Sequence, residues 1–381
     1  MKTYPLFKVH VPKEEALAQL GQVFDSGFIN EGTQVTALTS QLSEYLESNH
    51  LILVNSCTSA LFMALKLAGV GPGDEVISTA MTCVATNAAI AMTGAKIVWA
   101  DVDPESGMLD PYSIMEKITP HTKAVMAVAW AGTPPHMFML KNTCKAFHVK
   151  LILDAAHAFG AYYKNAPVHE WADYTCYSFQ AIKHFTTGDG GALICTDKAD
   201  YQRSKSMKWF GLDRDKTKDA AGNWKGQQWD TDIEEIGYKF NMNNVCAAIG
   251  LSQMKHVDMI VDGHVRNGGR YDMLFLDYEP VRPITRPDGS ISAHWVYTMK
   301  VNPDKCKLSR DDLLKALNAE KIMAGVVHVP NDDYTCFQDI KDHNLKGLKQ
   351  FAPHQFSLPC GWWLEEEDIR HIAKRVKELT Q

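Results

Sequence analysis

Between residues 51 and 195 of this 381-residue chain, short apolar runs alternate with helical stretches, and that rhythm restricts the fold more than any other feature. Residues 51–54, 75–78, 96–99, 124–130, 150–153, 175–179 and 192–195 read as strands, with helices over 82–92, 111–118 and 137–147. Strands that are apolar on both faces and separated by helices build a mostly parallel sheet covered on both sides. In such α/β sheets ligands collect outside the carboxyl ends of the strands, so the residues after each strand need the closest reading.

The flanks differ in kind. Pro12-Lys13-Glu14-Glu15 opens a helix with acids in its first turn, and a turn at Asn30-Glu31-Gly32 separates it from a helix over 36–46. Residues 213–235 are polar, contain Trp224 and Trp229, and read as a long loop. A helix over 243–259 runs into a helical connector reaching 274. Beyond it come a strand at 295–301, a helix at 309–320 capped by Ser309, a strand at 326–329 and a helix at 365–379. The length suits two domains. A formal charge of −6 argues against a nucleic-acid partner, because such proteins carry a basic face. The sequence shows no signal core and no apolar run of membrane-spanning length. Nine scattered cysteines without a C-x-x-C pair point to reduced thiols in a cytoplasmic protein and suggest no metal site.

Four constellations stand at or beyond strand ends. Asn55-Ser56-Cys57-Thr58-Ser59-Ala60 leads into a helix over 61–68; its hydroxyls and backbone N–H groups could hold an anion, or simply cap the helix. Asp154-Ala155-Ala156-His157 offers a carboxylate that needs a cationic or donating partner. It could also cap the next segment or bind magnesium, but the G-x-x-x-x-G-K-[ST] loop of magnesium phosphotransfer is missing. Ser178-Phe179-Gln180-Ala181-Ile182-Lys183 places a lysine five residues past a strand-end serine and before Gly188-Asp189-Gly190-Gly191. A lysine in apolar surroundings has a lowered pKa and can form a Schiff base with a carbonyl, whereas an isolated one is a surface charge. His184 beside it reads as packing. Gly237-Tyr238-Lys239-Phe240-Asn241-Met242-Asn243-Asn244 precedes an apolar helix and could be no more than a cap.

Their order in the chain is more informative than any one of them. A phosphate cradle, a strand-end Asp and a later Lys are what pyridoxal phosphate (PLP) requires: an anion site, a carboxylate to keep its ring nitrogen protonated, and an amine for its aldehyde. Here the chain resembles the DegT/DnrJ/EryC1/StrS family of PLP-dependent sugar aminotransferases, of fold type I (aspartate aminotransferase-like). Ser56-Cys57-Thr58-Ser59-Ala60-Leu61 matches the family's Ser-Gly-Thr-Ala-Ala-Leu, and residues 153–161 match its Glu-Asp-x-Ala-[Gln/His]-Ala-x-Gly-Ala. Ser178 to Gly191 meets Ser-Phe-x-x-x-Lys-x-x-[Thr/Ser]-x-Gly-[Glu/Asp]-Gly-Gly in full. The similarity covers most of the chain, most securely residues 12–260.

The resemblance implies a mostly parallel mixed sheet in a large PLP-binding domain over 1–255, which includes the N-terminal helical segment, and a smaller α+β domain over 256–381. It implies that Lys183 takes the cofactor's aldehyde and then shuttles a proton, while Asp154 pairs with the pyridinium nitrogen. Thr58, Ser59 and Ser178 would bind the phosphate, and His157 would lie beside the ring or its 3′-oxygen. The segment around Asn241 would come from a second subunit, making a homodimer with shared active sites. There are departures: Cys57 replaces a Gly, Leu153 a Glu, and Cys83 an aromatic residue that stacks on the cofactor. Lys239 and Asn241 stand where many members have Asn and Arg, so either could make the cross-subunit contact.

The reaction implied moves an amino group from an amino acid, L-glutamate, to a keto group of a nucleotide-linked deoxysugar. A PLP-dependent sugar dehydratase is one alternative; such relatives carry His in place of the Lys, and here the His comes one residue later. An aminotransferase of a cyclitol or another non-nucleotide keto compound is a second. A cofactor-binding regulator is the third, and it lacks chain length for a further module. Trp209, Trp224, Trp229, His328, Trp362 and Trp363 stand as candidate acceptor contacts, with core or surface packing as an equal alternative.

Overall fold

A computed structural model describes residues 2–213 and 232–381, so Trp224, Trp229 and most of the expected loop lie outside the described residues. In chain order the strands are β1 (Leu51–Val54), β2 (Glu75–Thr79), β3 (Lys96–Ala100), β4 (Thr122–Val128) and β5 (Lys150–Asp154). Next come β6 (Tyr162–Tyr163), β7 (Ala166–Pro167), β8 (Tyr174–Ser178) and β9 (Gly191–Cys195). The last four are β10 (Val281–Pro283), β11 (Ser290–Ile291), β12 (Tyr297–Val301) and β13 (Gln355–Leu358). One sheet has the order β1-β9-β8-β5-β4-β2-β3; β9 runs against both of its neighbours and the remaining pairs are parallel. A separate antiparallel sheet, β10-β12-β13, and the small β11-β6-β7 complete the α/β architecture expected from the sequence.

Alternation along the strands decides where the polar residues of the large sheet point. Leu151 and Leu153 enter one hydrophobic cluster and Ile152 the other, which also holds Tyr174, Cys176 and much of the helix Cys57–Leu67. A strand turns alternate side chains to opposite faces, so Asp154 and Ser178 share the face of Ile152 and Cys176, under that helix. The ladder pairs Asp154 with Cys176, and Gly191 with both Ser178 and Val54. The carboxyl ends of β1, β5 and β8 therefore meet where β9 begins.

Several boundaries differ from the sequence reading. The helix after β1 begins at Cys57, not 61, because Ser56 Oγ accepts the Ser59 N–H at 3.1 Å. The strand expected to reach 130 stops at Val128, where Trp130–Gly132 turns with Ala131 at φ 53° and Gly132 at φ 101°. Residues 326–329 form no strand: only Gly325 bridges to Ser357, and Pro330, which has no N–H, follows. The strand that does pair with β12 is β13, with Tyr297 opposite Leu358. A polar helix, Lys198–Met207, was not anticipated; Asp197 caps it through the N–H groups of Ala199 and Asp200.

The N-terminal helices Lys13–Ser26 and Thr33–Tyr45 pack on the helix Asn244–Gln253. Asn244 fastens their turn: its Oδ1 accepts from Gly32 N–H at 3.0 Å and Val35 N–H at 3.3 Å, and its Nδ2 donates to the Phe28 carbonyl at 2.9 Å. A third apolar cluster, with Tyr271, Met299, Leu313, Phe356 and Ile372, lies under β10-β12-β13. Ser309 caps its helix Arg310–Ala319 as expected, accepting from Asp312 N–H. No helix among the described residues is long and apolar enough to cross a membrane.

Candidate active site

Asp154 ends β5 and is 4% exposed. Its carboxylate accepts from Thr86 Oγ1 at 2.7 Å and Ala156 N–H at 3.1 Å, with the Cys57 thiol 3.9 Å away. All three partners are neutral. Burial pushes this carboxyl above the usual range, while the Thr86 and Ala156 hydrogen bonds pull it down only in part. Thr86 is itself in contact with Thr82 Oγ1 at 2.8 Å, so a chain of hydroxyls from the helix Val84–Met92 and the turn before it fixes the carboxylate.

Lys183 lies in the turn between β8 and β9, its N–H bonded to the Gln180 carbonyl at 3.0 Å. Desolvation lowers its amine to about 8, with Asp154 the largest opposing influence. Nζ sits 3.7 Å from the centroid of Trp295. That indole stacks on His157 at 3.9 Å and 14°, and His157 in turn on His328 at 5.4 Å and 11°. Burial drives His157 well below its ordinary value and His328 down to about 4, so both rings are neutral. Among the described residues, His157 Nδ1 and His328 Nε2 are buried without a hydrogen-bond partner.

The start of the helix Cys57–Leu67 forms the third side. Ser59 Oγ lies 2.9 Å from Ser56 Oγ and donates to Asn55 Oδ1 at 2.7 Å, and no acid stands in the first turn. β9 comes close here: a Cβ on Gly191 would fall 2.6 Å from Cys57 N and 2.8 Å from the Tyr177 carbonyl, so only glycine permits the approach. Ser178, at the end of β8, is 8% exposed. Cys83, half-buried ahead of the helix Val84–Met92, is within electrostatic reach of Lys183 and Cys57.

The structure thus gathers Asp154, His157, Lys183 and Cys83 around one end of the sheet, with Thr58, Ser59 and Ser178 at the adjoining strand ends. Asn241 borders the end of β1, with its backbone paired to Val54; its side chain bonds to Asn30, to the Met242 carbonyl and to Lys239 Nζ. Lys239 also rests on Trp209 at 4.1 Å. Trp362 packs on His10 and Lys8, and Trp363 on His264. His184 is a packing residue, buried with Nε2 at 2.8 Å from the Ala293 carbonyl. Sequence reasoning missed Thr86 and Trp295 as site residues. Only the hydroxyls of Thr82 and Thr86, four residues apart, and the aromatic start of strand 295–301 hinted at them.

A buried carboxylate with neutral partners, an amine of lowered pKa and a helix N-terminus free of acids together fit a cationic ring nitrogen, an aldehyde and a phosphate. On this sheet they define a PLP-dependent enzyme of fold type I. Residues 11–377 match the DegT/DnrJ/EryC1/StrS aminotransferase family, and the chain belongs to it. It is a PLP-dependent sugar aminotransferase. It is 31% identical over 376 residues to the UDP-4-amino-4-deoxy-L-arabinose--oxoglutarate aminotransferase of Shewanella sediminis (strain HAW-EB3), covering 96% of each chain. The structure of the sugar aminotransferase CalS13 from Micromonospora echinospora matches with a TM-score of 0.89 at 29% identity, over 98% of this chain and 99% of that one. The PLP form of Spr1654 from Streptococcus pneumoniae matches at 0.88 and 25% identity, over 99% and 98%.

Proposed function

We propose that this enzyme moves an amino group from L-glutamate to a keto group of a nucleotide-linked deoxysugar, with Lys183 as the reacting amine and Asp154 keeping the cofactor's ring nitrogen protonated. The observation that carries the reading is the pair itself. An amine held near 8 by burial stands within electrostatic reach of a buried carboxylate whose bonding partners are all neutral. Bound PLP supplies an aldehyde and an electron-withdrawing ring. Around it, Thr58, Ser59 and Ser178 offer N–H and hydroxyl donors to the phosphate. Thr86 and the Ala156 N–H hold the Asp154 carboxylate in place, and neutral His157 presents a ring nitrogen to the cofactor's edge. Lys183 Nζ carries the proton to and from the substrate carbon. Cys83 lends an apolar contact in place of a stacking ring. Asn241 or Lys239 of a second copy completes the phosphate site, which makes a cytoplasmic homodimer the working unit. The domain boundary near residue 255 belongs to the same reading.

The Shewanella relative is named for a UDP-linked amino sugar and oxoglutarate, the keto acid that glutamate leaves on giving up its nitrogen; that pairing supports the donor and the nucleotide. The loaded protein is expected to release 2-oxoglutarate from L-glutamate and to aminate a nucleotide-linked 3-keto or 4-keto sugar. Lys183→Ala should lose at least about 10⁴-fold in activity, together with the visible absorbance. Uptake of PLP by the cofactor-free protein should rise with pH through about 8, because only the neutral amine attacks. A wild type that takes up no PLP contradicts the reading, as does a Lys183→Ala variant that still transfers nitrogen. Release of ammonia without an acceptor would make the protein a lyase, and amination confined to nucleotide-free keto compounds would overturn the acceptor alone.

A further inference from the structure

Besides its stack on His157, Trp295 is held at the site from three directions. Its Nε1–H donates to the Ile182 carbonyl at 2.8 Å, so the indole is bonded to the residue immediately before Lys183 while its ring contacts Nζ at 3.7 Å. Its backbone is pressed inward at Gly132, where a Cβ would come 2.7 Å from His294 N and 3.0 Å from Trp295 N. Gly132 accepts this approach at φ 101°, and its carbonyl receives the Ala293 N–H at 2.9 Å. The third hold is remote in sequence: Phe7 stacks on the indole at 4.8 Å and 27°.

Phe7 belongs to an N-terminal strap tied down on both sides of it. Lys2 pairs with Asp368 at 2.6 Å, and Tyr4 exchanges backbone hydrogen bonds with Lys321 and Met323, each at 2.9 Å. On the other side of Phe7, the His10 carbonyl accepts from Gln253 Nε2 at 2.8 Å. The strap thus crosses from the β10-β12-β13 region to the helix Asn244–Gln253, and Phe7 lies between these ties.

We propose that Trp295 is a positioning residue for the Lys183 nitrogen and that Phe7 backs it, which makes the N-terminal strap a working part of the active site. The proposal rests on Lys183 being the reacting amine. An indole face is electron-rich and attracts a cation, so it favours the protonated nitrogen and holds it over one spot. Phe7 fills the space into which the indole would otherwise swing.

The test is the pH midpoint of the visible absorbance of the PLP-loaded full chain, which reports the proton on Nζ without reference to turnover. Trp295→Ala is expected to lower that midpoint by about 0.4–1.5 pH units, the size of a partly desolvated cation–π contact. Trp295→Phe should restore most of it. Phe7→Ala should move it the same way by less, and because Phe7 is only partly buried on the strap, that variant decides the matter if Trp295→Ala does not fold. Wild-type midpoints in both alanine variants at full cofactor occupancy would overturn the proposal and leave the aminotransferase reading intact. A Trp295→Phe shift as large as that of alanine would overturn the aromatic account, and a wild type that binds no PLP would overturn both readings.

Discussion

The carboxyl edge of the large sheet and the C-terminal region handle charge in opposite ways. In the C-terminal region charges are answered locally: Arg375 meets Glu320 at 2.6 Å, Arg286 meets Asp272 at 2.7 Å and Lys2 meets Asp368 at 2.6 Å. Hydrogen bonds from Arg375 and Arg370 hold Glu320 and Glu366 below the usual carboxyl range. Its helices answer their own dipoles too, with Asp311 and Asp312 in the first turn of Arg310–Ala319 and three acids in that of Glu366–Thr380. At the sheet edge, Asp154 is raised, Lys183 is lowered, and the helix Cys57–Leu67 starts without an acid. Uncompensated buried charge destabilises a fold, so it persists where a ligand completes it.

The hardest test of that contrast exchanges one carboxylate in each region. Asp154→Asn should cost about 10²–10³-fold in kcat, the loss typical of removing one preorganised electrostatic group. Its effect on the cofactor-free fold runs the other way. Because Asp154 titrates above an ordinary carboxyl, the unfolded chain releases that proton first, and native stability declines as pH rises from the unfolded value to the raised native one. Asparagine removes that decline, so the apo-protein should melt no lower than wild type at pH 7. Asp368→Asn should do the opposite, losing up to about 1 kcal/mol with the Lys2 pair while its amide oxygen still accepts from the Glu365 N–H, at a kcat far closer to wild type than that of Asp154→Asn. Melting curves and kinetics of both variants check this. If Asp154→Asn melts early and stays active, the contrast collapses.

What the sequence disclosed follows the same division. Asp154 and Lys183 were legible because each sits in a contiguous strand-end motif, and the large sheet because its strands are apolar on both faces. Thr86 and Trp295 were not, since they reach Asp154 and Lys183 from distant parts of the chain and belong to no local pattern. β13 was missed because Gln355-Phe356-Ser357-Leu358 alternates like a half-exposed strand although all four residues are buried. Residues 326–329 misled for the converse reason: an apolar run whose pairing fails beside Pro330, leaving the His328 carbonyl to accept from Gln355 Nε2. Lys198–Met207 had a visible signal, its Asp197 cap, and was overlooked because its face is nearly all polar.

A smaller effect is expected from giving the cradle helix what the C-terminal helix already has. Thr58→Asp places an acid in the first turn of Cys57–Leu67, as Asp311 and Asp312 stand in Arg310–Ala319. On the apo-protein this should be neutral or stabilising, by about 0.3–1 kcal/mol from the helix dipole. The phosphate then meets a like charge, and the dissociation constant for PLP should rise about 10–100-fold, or about 1.4–2.8 kcal/mol. Fluorescence titration reads the constant directly; an unchanged value would place the phosphate elsewhere.

The smallest effect separates two serine caps that are chemically alike. Ser309 and Ser56 each accept a first-turn N–H, from Asp312 at 3.2 Å and from Ser59 at 3.1 Å. Either alanine variant should lose about 1 kcal/mol in urea unfolding of the apo-protein, the ordinary worth of a cap. Ser309→Ala should change nothing else. Ser56→Ala also releases Ser59 Oγ, which now lies between Ser56 Oγ at 2.9 Å and Asn55 Oδ1 at 2.7 Å, so PLP affinity should fall several-fold, about 1 kcal/mol. Equal stability loss with unequal cofactor affinity would show that the two caps differ only in what lies in front of them. Equal affinity would mean that the Cys57 helix is merely capped, as the plainest reading of its sequence allowed.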